Sequence, residues 1–140
     1  MALSTRAGVV VPSLLRPERT RSVEVGVKGR AADDGWAYQV AVFQADKIDG
    51  QRSFRTGPDT FIFANATSRV QGLESQLQWR AAGGLGGYLH YTWQDARLRD
   101  FPTFTAAGAP GPNFAGYRVR MSARHLGGAG VTWAVGDWTL

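Results

Sequence analysis

The sequence predicts an all-β fold, an antiparallel meander of long strands. Three observations carry this reading. Apolar and polar residues alternate with period 2 over several long stretches, the 18 glycines are scattered along the chain, and the aromatic residues, 11% of the chain, form no helical stripe. At 140 residues there is room for one ordinary domain. The absence of cysteine excludes a disulfide scaffold, thiolate metal sites and a cysteine nucleophile, and with only His90 and His125 a zinc site would have to lean on carboxylates. No apolar run is long enough for a membrane-spanning helix. The net charge is +5, but the basic residues are dispersed, Arg16, Arg19 and Arg21 being the only tight group, so no nucleic-acid partner is expected. The weakly apolar run from Ala7 to Leu15 is interrupted by Pro12 and lacks the small-residue cleavage pattern of a signal peptide.

Taken in order, Ser22 to Lys28 places Val23, Val25 and Val27 on one face and Ser22, Glu24, Gly26 and Lys28 on the other. Ala32-Asp33-Asp34-Gly35 has the chemistry of a tight turn. Trp36, Tyr38, Val40 and Val42 then form one face of a second strand, opposite Ala37, Gln39 and Ala41. Asp46 to Asp59 reads as a longer polar loop, and Thr60 to Ala81 as one long extended segment. In its second half Leu73, Leu77 and Trp79 share a face with Gln71 and Ser75, while Val70, Gly72, Glu74, Gln76, Gln78 and Arg80 form an almost wholly polar column. Gly83, Gly84, Gly86 and Gly87 disfavour a helix, so Leu85 to Ala96 is the next strand. Arg97 to Tyr117, rich in glycine and proline, reads as a long loop, functional or mobile by its length. Arg118 to Ala134 returns as a strand, Gly136-Asp137 turns, and Trp138 to Leu140 opens another.

The connections therefore alternate short and long, as in transmembrane β-barrels with tight periplasmic turns and extended outer loops. Trp36, Trp79, Trp133 and Trp138 all sit near a short turn, at one edge of the sheet. This is the placement of an aromatic girdle, because an indole ring is apolar while its N–H still needs a partner.

At this point a family resemblance emerges. Leu15-Arg16-Pro17-Glu18 through Glu24, Gly26 and Lys28 resembles the "L-K-P-E…Y-E-x-G-x-K" segment of TonB-dependent outer-membrane receptors, especially siderophore receptors. Phe43, Asp46 and Asp49 resemble their "F-x-x-D-x-x-D" strand end, and Asn65-Ala66 with Arg69, Gly72 and Glu74 resembles a further strand of theirs. Tyr91 to Ala96 is similar to their "Y-T-Y-T-D-A", and Ala123-Arg124-His125 to their "P-x-H". Val23, Thr67 and Ala123 depart from the usual aromatic, glycine and proline without breaking the strand pattern. The resemblance implies part of a transmembrane barrel of about 22 strands. Residues 1–140 would be an incomplete barrel segment without the family's plug domain, not transport-competent alone and prone to assemble with copies of itself through open edges.

It further implies uptake of ferric siderophores across the outer membrane of a Gram-negative bacterium. Outer-membrane lipid and lipopolysaccharide would surround the barrel, and TonB would engage only through an N-terminal region outside this segment. Glu24, Lys28, Glu74, Gln78 and Arg80 are then expected to face the lumen, and Gly26 and Gly72 to thin its wall. Arg97, Arg99, Arg118 and Arg120 flank the long loop near the outer mouth, where they would attract an anionic chelate or meet lipopolysaccharide.

Enzyme chemistry is not expected. Neither His90 nor His125 has an Asp and Ser in triad order, Glu24 and Glu74 show no glycosidase spacing, and Gly83 to Gly87 lacks a phosphate-loop lysine. No cofactor or metal is implied. The alternative is a small soluble β-barrel acting as a binding module, with the valine and tryptophan face turned inward over a cavity.

Overall fold

The computed structural model describes residues 3–5, 15–31, 35–59, 61–135 and 138–139. The strands are β1 (Leu3–Thr5), β2 (Arg19–Arg30), β3 (Trp36–Arg55), β4 (Phe61–Arg80), β5 (Leu85–Asp100), β6 (His125–Val135) and β7 (Trp138–Thr139), with one 3₁₀ turn at Ala82–Gly84. Strands β2 to β7 lie side by side in chain order, the antiparallel meander the sequence predicts, and β1 pairs with the start of β4, Leu3 opposite Phe63. The pairing of β5 with β6 is regular from Leu85 opposite Trp133 to Trp93 opposite His125. On the β2–β3 side Gly29 neighbours Tyr38, Gly26 neighbours Ala41, and the Ala31 N–H donates to the Trp36 carbonyl.

Two compact units divide the chain. The first comprises residues 23–44, 71–95 and 123–140. Here a period of two in exposure is visible along the second half of β4, while β2 is exposed at nearly every position. Val23, Val25 and Val27 are 69%, 68% and 58% exposed, and Trp36 and Trp133 are half exposed. Small residues let the strands and rings approach: a side chain at Gly72 would strike the Trp93 carbonyl and lie 2.8 Å from the Phe43 ring, and one at Gly87 would enter the Trp79 ring. The only buried apolar residue described in this unit is Ala41. A soluble module would need its valines and tryptophans packed over a dry centre, and among the described residues no large side chain is fully buried.

The second unit comprises residues 1–22, 45–70 and 96–122. Its described core is built of Ile62, Ala64, Ala66 and Ala96, together with the side chain of Asp49.

Two sequence expectations are corrected here. Asp46 to Arg55 is not a loop: β3 continues to Arg55, and only residues 56–59 of the expected loop lie outside a strand. Polarity misled because these side chains are satisfied by strand neighbours, as described below. Within this stretch Asp49 has φ 58°, and it and Gly50 are consecutive buried positions, which marks a β-bulge that interrupts the period-2 signal. The second correction concerns the long connection, which occupies residues 101–124, so that β6 starts at His125 and not at Arg118. It is a hairpin in its own right. Leu98 donates to Tyr117, Gly116 to Leu98, Phe114 to Phe101 and Gly111 to Thr103 through their backbones, and Met121, at φ 58°, offsets the chain before β6. Among the connections from β2 to β7, the expected alternation of short and long is therefore reduced to one long connection. The turn residues 32–34 and 136–137 and the terminal Leu140 lie outside the described residues.

Candidate functional site

Two features of the first unit bear on function. The polar column gathers on one face: Lys28, Arg30, Gln39, Gln76 and Gln78 line a recess of about 430 Å³, and Arg30, Gln76, Gln78, Arg80, Tyr88 and His90 line an adjoining one of about 560 Å³. Of the residues expected to face a lumen, Lys28, Gln78 and Arg80 are thus brought together, while Glu24 and Glu74 are exposed on the same alternate positions but outside both linings. The indoles lie near the short turns, Trp79 also lining the larger recess. Trp36 stacks on Trp79 with centroids 6.3 Å apart, Trp133 pairs with Leu85, and the Trp133 Nε1–H donates to the Gly83 carbonyl at 3.3 Å. The Trp138 side chain lies outside the described residues.

The second unit holds an ionic knot that the sequence reading did not anticipate. Asp49, 3% exposed, receives Arg16 at 2.7 Å and faces Arg19 at 3.7 Å. Its carbonyl accepts from Asn65 Nδ2 at 2.7 Å and its N–H donates to Thr67 Oγ1 at 3.4 Å, so side chains replace the backbone ladder at the bulge. Asn65 also clamps the main chain of Arg16, accepting its N–H at 2.9 Å and donating to its carbonyl at 3.0 Å. Lys47 meets Glu18 at 2.9 Å, and Arg69 grips Asp46 through two hydrogen bonds of 2.6 and 3.0 Å. Every one of these residues falls within a stretch that carries the family resemblance. The signal was therefore on the page, but as motif letters and not as partners.

The long hairpin is held by rings. Phe54 lies 5.8 Å from Phe101 and 5.5 Å from Phe104, Phe101 stacks on Phe114 at 6.5 Å, and Phe114 meets Tyr117 at 5.4 Å. At its root Arg97 and Arg118 are direct bridge partners. Arg97 donates to the Gly116 carbonyl at 3.2 Å and Arg118 to that of Ser122 at 3.3 Å. Arg99 and Arg120 are exposed and stand outside that bridge.

A family model described as "TonB dependent receptor-like, beta-barrel" matches residues 3–140. The chain belongs to that family. Its TonB-dependent receptor barrels serve transport at the outer membrane of Gram-negative bacteria, not enzymatic chemistry, and the all-β meander described above is consistent with part of such a barrel. No solved structure matches the chain.

Proposed function

We propose that this chain forms outer-membrane barrel wall of a receptor that takes up ferric siderophores, with lipid on the valine and tryptophan face and the polar column of Glu24, Lys28, Glu74, Gln78 and Arg80 toward the lumen. The observation that carries the membrane reading is the bracketed apolar column of the β3–β4 hairpin. At one end Trp36 stacks on Trp79; at the other Asp46 pairs with Arg69. Both pairs join alternate positions of one register, and between them lie Tyr38, Val40, Val42 and Gln44 on β3 and Leu77, Ser75, Leu73 and Gln71 on β4. Trp36 and Asp46 are ten positions apart, as are Trp79 and Arg69. A tilted transmembrane strand needs about 9–11 residues. Aromatic rings at one boundary and a hydrogen-bonded ion pair at the other match what the two interfaces of a bilayer demand.

The siderophore reading rests on the motif resemblance and on Arg97, Arg99, Arg118 and Arg120 near the loop end, which favour an anionic ferric chelate, with energy relayed by TonB. The test is ferric-chelate binding by the full chain refolded in neutral detergent, read as quenching of tryptophan fluorescence. An anionic ferric chelate should quench at lower concentration than its neutral counterpart, and the fourfold variant R97Q/R99Q/R118Q/R120Q should remove the difference. Equal quenching by both chelates in the parent chain would refute the anionic-chelate reading.

A further inference from the structure

The outer edge of β2 is open. Strands β2 to β7 lie in chain order, so β2 has β3 on one side and no described strand on the other. From Val23 to Lys28 every residue is exposed, and the strand carries no proline that would blunt its edge. The β2–β3 register fixes which backbone groups that edge presents. The Ala31 N–H donates to the Trp36 carbonyl, and Gly29 beside Tyr38 and Gly26 beside Ala41 keep the same pairing. In an antiparallel ladder hydrogen-bonded and non-hydrogen-bonded pairs alternate. Val23, Val25, Val27 and Gly29 share the parity of Ala31, so their N–H and C=O groups turn to β3. Those of Glu24, Gly26 and Lys28 turn to the open edge, where lipid would leave them unsatisfied. Among the described residues neither Glu24 nor Lys28 has an ion-pair partner.

We propose that this edge pairs with the same edge of a second copy of the chain, antiparallel and two-fold symmetric about Gly26. A two-fold contact joins one surface to itself, so the strand must be complementary to its own reverse. About Gly26 it is. Gly26 then meets Gly26 of the second copy, Glu24 meets Lys28 and Lys28 meets Glu24, and all of these are positions whose backbone groups point outward and can exchange ladder bonds. The side chains of both Glu24–Lys28 pairs stand directly opposite each other, which stabilises a ladder. Centres at Glu24 or Lys28 would oppose like charges, and centres at Val25 or Val27 would set Glu24 or Lys28, respectively, against glycine. On the other face Val25 meets Val27 twice. The two valine faces therefore continue one another on one side of the joined sheet, and the two polar columns on the other. The pairing follows from the register and sequence of β2 and does not depend on ferric-chelate uptake.

The test uses the full chain refolded in neutral detergent micelles, with mass measured by analytical ultracentrifugation and sheet content by circular dichroism. The parent chain should be a dimer. E24K and K28E each create two like-charge pairs in this register and should weaken dimerisation about tenfold. The charge swap E24K/K28E restores two opposite-charge pairs and should dimerise like the parent chain, and E24K mixed with K28E should give the mixed dimer in preference to either variant alone. The register is read by disulfide formation in a chain with no native cysteine: V25C should cross-link to V27C in preference to itself. A sheet-folded parent chain that stays monomeric, or equal dimerisation by E24K, K28E and the parent chain, would overturn the proposal. So would cross-linking that favours V25C with itself, and larger assemblies that E24K leaves unchanged would place the contact at another edge and overturn it too.

Discussion

Substituting Val25 by arginine separates a lipid-facing column from a water-facing one. Val25 lies near the middle of β2, which runs from Arg19 to Arg30, and is 68% exposed with nothing of the chain covering it. Twelve residues at about 3.3 Å each, tilted by roughly 40°, rise about 30 Å along the bilayer normal. Val25 then sits near the midplane, where arginine on the lipid face of a barrel costs about 2–4 kcal/mol. In water the same exposed substitution would fall within about 0.5 kcal/mol of neutral. Urea titration of the chain refolded into phosphatidylcholine vesicles reads the difference. Glu24→Arg, on the neighbouring alternate position, is the control and should cost less than about 1 kcal/mol, since lumen positions stay hydrated. If V25R costs under 0.5 kcal/mol, or if E24R costs as much as V25R, the assignment of faces is wrong.

Three further outcomes follow from the packing. Gly72→Leu forces a side chain against the Trp93 carbonyl and the Phe43 ring and should destabilise the refolded chain by about 1–3 kcal/mol, seen as a lower urea midpoint. Asn65→Ala removes the clamp on Arg16 and the bond to the Asp49 carbonyl. It should cost about 2–3 kcal/mol, with amide exchange accelerated at Leu15 to Glu18; unchanged exchange there would mean the clamp holds nothing. Phe101→Ala unlinks Phe54 from Phe114 and should cost about 2 kcal/mol, with faster proteolysis at 105–109 but unaltered stability of the β2–β3 hairpin.

The sequence yielded most where side chains alternate between unlike surroundings. Val23 to Lys28 and Gly72 to Arg80 announce their strands because one face is apolar and the other polar, and Gly83-Gly84 marks the short turn before β5. It misled where a strand is polar on both faces. From Asp46 to Arg55 the residues that look like loop are strand residues whose charges are met by Arg69, Arg16 and Glu18, contacts between positions far apart in the chain. The bulge at Asp49 added to the error by breaking the period. The long hairpin reads as open loop because glycine and proline dominate its composition, while its order comes from backbone bonds and ring contacts that no local pattern reveals. Of the candidate site, Lys28, Gln78 and Arg80 were legible as one polar column. The convergence of Arg16, Asp49 and Asn65 was not, because their motif spacing records kinship and not contact.

The decisive measurement is the accessibility of spin labels at single cysteines placed in turn at residues 22–28 of the chain in lipid vesicles, a clean experiment in a protein with no native cysteine. Labels at 23, 25 and 27 should be relaxed by oxygen, which concentrates in lipid, and those at 24, 26 and 28 by a water-soluble nickel chelate, with a period of two. The opposite phase, or nickel access at every position, would contradict a bilayer against the valine face.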